Sequence, residues 1–226
     1  MPRDATETRN RLLREAERLF ATRGIWRTTT REILDAAGQR NVSALSYHFG
    51  SRAGVLREIL LRHGDPLDDE RGELLARAGG DAGTRELVAS LLVPLAGRLA
   101  TPDGRDYLRI VAQLTEEFPA WRIESDLTPP NLRHILGLLE ARPAAVAPEV
   151  RRERVVLVIM LMTSAMAERA RALDAEAAAA ADAELELDEA AFVANLTDVI
   201  VAALEAPSSL QTLTGVGRRG SSPAAR

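Results

Sequence analysis

The segment GQRNVSALSYHFGSR, residues 38–52, concentrates side chains that can recognise another molecule. Its hydroxyl, amide, imidazole and phenol groups donate and accept hydrogen bonds, and its two arginines carry positive charge. Groups of this kind suit the base edges and phosphate oxygens of duplex DNA, which a protein helix can read from the major groove.

These side chains need a short helix to carry them, and the spacing predicts one from about Ser43 to Phe49, with Ala44, Leu45 and Phe49 available for burial. A helix of about two turns is not stable on its own, because nucleation is costly. Neighbouring helices must therefore support it. The first helix is expected to end at Gly24. The second is expected to begin after Thr29, which forms a capping box with Glu32, and the fourth to run from Ser51 or Arg52 to about His63.

Helices joined in this order predict a helix-turn-helix motif. The start of the helix that begins after Thr29 extends the polar surface. Its free backbone amides suit a phosphate, and Arg31 on its first turn can reach the same groove. The full predicted DNA-binding set is Thr28, Thr29, Arg31, Gln39, Arg40, Asn41, Ser43, Ala44, Ser46, Tyr47, His48 and Arg52.

Plainer interpretations of four of these positions stay open. Tyr47 and His48 can simply cover the small core, although Leu45 and Phe49 already fill its inward positions. Arg31 can be an ordinary solvated residue, and Arg40 can bridge to an acidic residue such as Asp35.

Charge is divided unevenly along the chain, whose formal net charge is −4. Residues 1–63 hold 12 arginines and 7 acidic residues, a balance of +5. Residues 64–206 hold 14 arginines and 26 acidic residues, a balance of −12. A basic end on an acidic body indicates that one part meets a polyanion while the rest does not.

Composition argues against an enzyme, a metal site or a membrane protein. The chain has no cysteine, and its three histidines, at positions 48, 63 and 134, are scattered. No nucleophile, base and orienting group converge, and no glycine-rich phosphate loop is present, so we expect no catalytic site, cofactor or metal. The longest apolar run, residues 155–167, is shorter than the roughly 20 residues that span a bilayer. We expect a soluble, cytoplasmic protein.

Helical spacing without strand-like alternation predicts an all-α fold. We expect a helix-turn-helix DNA-binding domain over residues 1–50 and a helical regulatory and dimerisation domain over residues 51–206. Residues 207–226 are rich in serine, glycine and proline and are expected to be a disordered tail. The segment GDPLDDERG, residues 64–72, is expected to be either a loop or a polar continuation of the preceding helix.

One helix of the second domain is apolar on every side and so must be buried on every side. Ten of the twelve residues from Val155 to Met166 are apolar, and the last helix, Phe192 to Leu204, carries apolar residues on two faces. We therefore predict a homodimer in which these helices meet their symmetry mates. The expected interface residues are Val155, Val158, Ile159, Phe192, Leu196, Val199 and Ile200.

The stretches LFATRGIWRTTTREILDAAG and SALSYHFGSRAGVLREIL resemble the DNA-binding domain of the tetracycline-repressor (TetR) family of bacterial transcription regulators. The resemblance covers roughly residues 7–62. It implies phosphate contacts at Thr29, Tyr47, His48 and Arg52, and base contacts at Arg31, Ser43 and the turn before Ser43. The path from Gly38 to Phe49 is one residue longer than is usual in the family.

The same resemblance implies a homodimer that binds a palindromic operator, more often as a repressor than as an activator, and that is released by a small-molecule effector. It also implies a ligand pocket in the second domain. Apolar side chains suited to line such a pocket are Tyr107, Val111, Phe118, Trp121, Met162 and Met166, although each can equally be ordinary core. An alternative function is a helical adaptor that does not bind DNA, which would not require the basic amino-terminal part.

Overall fold

The computed structural model describes residues 2–117, 128–179 and 185–216, and every regular element in these ranges is helical. This confirms the all-α prediction. The α-helices are α1 (Pro2–Arg23), α2 (Thr30–Ala36), α3 (Ala44–Phe49), α4 (Arg52–Ala78), α5 (Thr84–Gly97), α6 (Pro102–Glu117), α7 (Pro130–Glu140), α8 (Pro148–Ala179), α9 (Glu189–Glu205) and α10 (Leu210–Val216), with a 3-10 turn, Arg98–Ala100, after α5.

The first three helices and the first half of α4 surround one hydrophobic core, and we call this unit the head, residues 2–60. Phe20 of α1, Ile33 of α2 and Leu45 of α3 are buried together with Val55 and Ile59 of α4. α3 has only six residues. Because a helix of that length cannot persist by itself, this shared core is what holds α3 in place.

The remaining helices surround a second core, and we call that unit the body, residues 61–216. α6 packs along α8, and α5 packs against α4 and α9. Leu67, Leu92, Leu108, Ile135 and Val155 are buried where these helices meet.

α4 continues well beyond His63, to Ala78, so the polar continuation is the correct form of the prediction for residues 64–72. Pro66 lies inside this helix and removes one intrahelical hydrogen bond. Buried residues on the following turns offset that loss: Leu67 joins the body core, and the Asp68 carboxylate accepts hydrogen bonds from the backbone N–H groups of Asn131 and Leu132, at 2.9 and 2.8 Å.

α8 also continues past Leu173, to Ala179. The sequence suggests little that could anchor the acidic, alanine-rich stretch that follows. In the structure, Asp174 provides an anchor, because its carboxylate accepts hydrogen bonds from Arg105, at 2.5 Å, and from Arg109 of α6.

The tail contains a short helix where the sequence predicts disorder. In α10, the backbone N–H of Thr212 donates to the hydroxyl of Ser209 at 3.3 Å, which caps the first turn. Leu210 and Leu213 remain exposed, so the helix contributes little apolar burial.

Among the residues described, no helix is both long enough and apolar enough to cross a membrane.

Candidate nucleic-acid interface

α2 begins at the predicted capping box. The backbone N–H of Glu32 donates to the Thr29 hydroxyl at 3.2 Å, and the Glu32 carboxylate accepts from the Thr29 backbone N–H and hydroxyl, both at 2.8 Å. These bonds from Thr29, the backbone one foremost, hold the pKa of Glu32 below its usual value, and Arg23 adds to the effect. Thr29 is exposed, but its hydroxyl proton is already directed to Glu32.

The turn between α2 and α3 depends on a glycine and an asparagine. Gly38 adopts φ +64°, a left-handed conformation that other residues rarely tolerate, so it can end α2 sharply. The side-chain oxygen of Asn41 accepts a hydrogen bond from the backbone N–H of Ser43 at 3.0 Å. This bond positions the start of α3 and leaves the Asn41 side chain exposed.

α3 presents a polar face to solvent. Ser43, Ser46 and Tyr47 are exposed, and Tyr47 keeps 81% of its surface accessible. His48 is half-buried, and its ring contacts that of Tyr47 edge-on, with centroids 5.0 Å apart. The opposite face, with Leu45, is buried in the head core. The arrangement suits insertion into a groove of duplex DNA.

Two members of the predicted DNA-binding set do not reach the surface. Thr28 is only 2% exposed, and its hydroxyl donates to the carbonyl oxygens of Gly24 and Leu19, at 2.8 and 3.3 Å. Its role is to tie the end of α1 to the loop before α2. Ala44 is 7% exposed and belongs to the head core, so its side chain is structural as well.

The arginines near this face differ in their exposure and in their contacts within the chain. Arg40 is exposed, and Gln39 before it is half-buried. Arg31 is exposed on α2, and its Nε donates to Asp35 at 3.1 Å across one helical turn. Arg52 is half-buried: it donates to the carbonyl oxygen of Ile25, and its guanidinium carbon lies 5.9 Å from the Phe20 ring centroid.

Sequence reasoning missed one exposed side chain on this face. Val42, directly before α3, is 62% exposed although it is apolar. An apolar side chain at such a place can contact a thymine methyl group. The signal was available, because a β-branched apolar residue inside a polar turn has no helical or strand pattern that would bury it.

The body contains a cavity of about 750 Å³ between α4, α6, α7 and α8. Of the predicted pocket residues, Tyr107, Val111 and Met162 line it. Met166 does not line it and is fully buried in the body core. Phe118 and Trp121 lie outside the described residues.

Most of the predicted dimer-interface residues are buried within the chain itself. This corrects the prediction for Val155, Val158, Ile159, Leu196 and Ile200, all of which belong to the body core, and Phe192 is half-buried against it. Only Val199 of the set is exposed.

The apolar side chains that do reach the surface of α8 lie on another face of the helix. Leu157 is 58% exposed, and Met160 and Leu161 are exposed beside it. The apolar run of α8 therefore has two destinations: one face fills the core of the chain, and the other lies open. Sequence alone could not separate them, because both faces are equally apolar.

Head and body are joined by side chains of α6 and α4. Gln113 of α6 accepts a hydrogen bond from the backbone N–H of Ile25 at 2.8 Å and donates to the carbonyl oxygen of Phe20 at 3.0 Å. Nε2 of His63 lies 2.5 Å from Oε1 of Glu17 on α1, and both side chains are buried. The His63 ring stacks on Tyr107, with centroids 4.7 Å apart. Because Tyr107 lines the cavity, it connects the cavity to the contact between His63 and Glu17.

Comparison with known proteins agrees with this geometry. Residues 12–59 match the family model for bacterial regulatory proteins of the tetR family. That range includes α2, α3 and the turn between them. A search of curated proteins found no match.

The fold resembles that of NalD, the secondary repressor of the MexAB-OprM multidrug efflux pump in Pseudomonas aeruginosa. The two sequences are 20% identical, with 91% of this chain and 100% of that chain covered and a TM-score of 0.54. Mycobacterium smegmatis AmtR is 21% identical over 94% of each chain, with a TM-score of 0.49. A TetR-family transcriptional regulator from Rhodococcus sp. is 16% identical over 88% of this chain and 100% of its own, with a TM-score of 0.46.

Proposed function

We propose, from the premise that this chain belongs to the TetR family of bacterial regulatory proteins, that it represses transcription. In this proposal it binds a palindromic operator as a homodimer, and a small molecule bound in the body cavity releases it from the DNA. One observation carries the proposal: α3 is held by the head core with Ser43, Ser46 and Tyr47 directed to solvent. Family membership makes the chain a regulator rather than an enzyme.

We assign the DNA contacts from the exposure of the side chains. Ser43, Ser46 and Arg31 are the side chains that we assign to base edges, together with the turn residues Gln39 to Asn41. We assign Tyr47 and His48 to phosphates flanking the groove, and Thr29 and Arg52 are further candidates that would first have to give up bonds within the head.

A dimer is supported by the open faces of α8 and α9. Leu157 and Leu161 of α8 and Val199 of α9 leave apolar surface exposed in the single chain. A two-fold partner that covered these faces would bring a second head alongside the first. Two reading helices would then meet half-sites about one helical turn, roughly 34–36 Å, apart or more.

Release requires that the effector binds one arrangement of the heads more tightly than the other. The cavity is placed for this role, because Tyr107 lines it and stacks on His63, which contacts Glu17 of the head. An effector that moved Tyr107 would act on a contact shared by both units.

DNA binding can be tested on fragments that the protein selects from its source genome. We expect affinity for a selected fragment, measured by fluorescence anisotropy, to fall steeply as salt rises, because phosphate neutralisation releases counterions. Replacing Tyr47 by alanine should weaken binding by about 1–3 kcal/mol across sequences. Ser43→Ala should instead change which fragments are selected.

Arg77→Ala is the control for removing an exposed side chain away from α3. Arg77 is an exposed arginine near the carboxyl end of α4, paired with Glu73 and remote from α3. Its removal should leave DNA affinity unchanged. Salt-independent binding, or full affinity in Tyr47→Ala, would instead favour a helical adaptor that does not read DNA.

A further inference from the structure

The cavity, which we call the channel, is lined by residues of both the body and the head. Its lining on α4 begins at Ala53 and recurs, turn by turn, to Arg71. The 18 residue-to-residue rises from Ala53 to Arg71 correspond to a length of roughly 27 Å. At the head end the lining includes Trp26, which lies in the loop between α1 and α2.

Most of the described channel wall is apolar. Leu56 and Leu60 of α4 and Leu114 of α6 line the part near the head, and Leu136 and Ile159 line the part within the body. Three charged residues of the lining, Arg57, Asp65 and Asp69, are exposed to solvent. Their charge is therefore screened by water, and they place little constraint on a ligand.

Two buried charges in the lining are Asp68 and Arg71, whose side chains are 6% and 7% exposed. They do not satisfy one another. Nη1 of Arg71 lies 3.8 Å from the nearest Asp68 oxygen, beyond hydrogen-bond distance. Both Asp68 oxygens instead accept hydrogen bonds from the amino-terminal N–H groups of α7, at Asn131 and Leu132.

Arg71 is thus left with unused hydrogen-bonding capacity. Its Nε is buried and has no hydrogen-bond partner among the residues described. Burial lowers the pKa of Arg71, although the neighbouring Tyr107 and Asp68 oppose the shift. An unpaired donor on a buried cation is costly, so the site would gain from an anion that accepts its hydrogen bonds.

We propose that the effector is an elongated amphipathic carboxylate, such as a long-chain fatty acid, whose carboxylate binds Arg71 and whose hydrocarbon chain follows α4 towards Trp26 of the head. The inference rests on the proposed function for its regulatory consequence, but the binding site itself does not. A planar guanidinium matches a carboxylate through paired N–H donors, and the apolar wall matches the chain.

A cationic amphiphile is the opposite possibility, because Asp68 is also buried here. The structure favours an anion, since each Asp68 oxygen already accepts a backbone N–H, and Nη1 of Arg71 lies 3.8 Å from the nearer of the two oxygens. A ligand ammonium would have to share that carboxylate with Arg71 and would leave the Arg71 Nε unpaired.

The preference of the site for a carboxylate can be tested on the unaltered protein with three ligands of equal chain length: hexadecanoate, hexadecanol and hexadecylamine. Each is kept below its aggregation concentration. Binding is measured by calorimetry at neutral pH. We expect hexadecanoate to bind at least tenfold more tightly than the other two. Equal binding of all three, tighter binding of the amine, or no binding of hexadecanoate would overturn the proposal.

The position of the chain can be read from tryptophan fluorescence. The sequence has two tryptophans, at 26 and 121, so Trp121→Phe leaves Trp26 as the single reporter. Hexadecanoate should shift the Trp26 emission to shorter wavelength as the hydrocarbon displaces water. A calorimetric binding signal without any Trp26 response would contradict the proposed path.

Variants test the role of Arg71. Arg71→Met should reduce hexadecanoate affinity at least tenfold and hexadecanol affinity little, whereas the control Arg77→Met, on the same helix but outside the channel, should change neither. Should Arg71→Met not fold, Arg71→Lys keeps the charge while losing the fork of donors and should weaken hexadecanoate binding less. Undiminished hexadecanoate binding by a folded Arg71→Met would refute the site.

The regulatory step has a separate readout. Adding hexadecanoate to a complex of the protein with its selected DNA should lower the DNA affinity at least fivefold. Tight hexadecanoate binding by a protein that shows no salt-dependent DNA binding would contradict the proposed regulatory function and support the carboxylate site. DNA binding that responds to salt but not to hexadecanoate would support the regulator and overturn the effector assignment.

Discussion

Glu17 and His63 place polar groups at the contact between head and body. Both side chains are buried, and Arg62 adds a second bond to Glu17, with Nη1 at 3.3 Å from Oε2. A buried polar group is costly unless it is hydrogen-bonded, so the contact is specific: Glu17 tolerates burial only while α4 stays in its present register against α1.

Removing His63 should destabilise the protein through that carboxylate. We expect His63→Ala to lower the free energy of unfolding by about 2–3 kcal/mol, because Glu17 loses a short bond and keeps only Arg62. Chemical denaturation monitored by circular dichroism measures the change. Glu7→Gln is the matched control: it removes an exposed pair with Arg11 and should cost about 0.5 kcal/mol or less. A cost for His63→Ala no larger than that of the control would show that Glu17 is not dependent on it.

Asp106 should make stability depend on pH. Burial raises the pKa of Asp106 to about 6, although Arg109 opposes the shift. A carboxyl group whose pKa is higher in the folded state than in the unfolded state stabilises the fold when protonated, and it loses that contribution as pH rises from about 4 through 6.

Asp106→Asn should therefore gain stability relative to the unaltered chain as pH rises. Paired denaturation curves at pH 4.5 and pH 7.5 give the comparison. The difference in unfolding free energy should move in favour of the variant at the higher pH. A difference that is constant with pH, or that moves the other way, would contradict the assigned shift.

For single residues, the sequence predicts which polar side chains a site contains better than it predicts which of them reach the surface. It identifies the polar types on α3, and Tyr47 is indeed at the surface. It also assigns Thr28 and Ala44 to DNA, and the structure buries both. The Thr28 hydroxyl finds two backbone carbonyls nine or fewer residues away, and such local partners cannot be inferred from residue type alone.

α3 is the element whose existence depends most on its surroundings. Of its six residues, Ala44 and Leu45 are buried, His48 and Phe49 are half-buried, and Ser46 and Tyr47 are exposed. The sequence predicts it correctly because its glycine boundaries, Gly38 and Gly50, both adopt positive φ and so break the chain at defined places.

Truncating Leu45 should test that dependence. We expect Leu45→Ala to cost about 3 kcal/mol, because the side chain is 1% exposed and its loss leaves a cavity in the head core. Ser46→Ala, on the exposed face of the same helix, should change stability by less than about 0.5 kcal/mol. Thermal unfolding compares the two, and equal melting temperatures would mean that α3 does not draw its stability from the head core.

The ends of helices were the least predictable elements. Pro66 and Gly64 look like breakers in the sequence, yet α4 continues through both. Asp174 looks like the start of a structureless acidic stretch, yet it anchors α8 through Arg105 and Arg109. In both cases a partner far along the chain decides the outcome, and one sequence does not reveal such partners.

At the scale of the whole molecule, the head core includes residues from beyond position 50. Val55 and Ile59 of α4 and Ile110 of α6 are fully buried in the head core. We therefore propose that the folding unit of the head includes α4 and depends on α6, so the predicted division at residues 50 and 51 marks a functional boundary rather than a structural one.

The dimer is a prediction that belongs to this scale. Leu161→Glu places a charge on the exposed apolar face of α8 and should convert a dimer into a monomer, because a like charge would face it across the two-fold axis. Sedimentation velocity measures the mass. Val93→Glu on α5 is the control, since Val93 is similarly exposed but lies on another helix, and it should leave the dimer intact. An unchanged mass for Leu161→Glu would exclude this face.

α4 passes from one core into the other, and Pro66 lies on the way. The helix from Arg52 to Pro66 is a rod of 14 residue-to-residue rises, or roughly 21 Å. If the rod tilts by about 10° at that weakened turn, its far end, next to α3, moves by roughly 4 Å, several times the range of distances that a hydrogen bond tolerates. A small rearrangement deep in the body would thus suffice to carry the reading helix out of register with a groove.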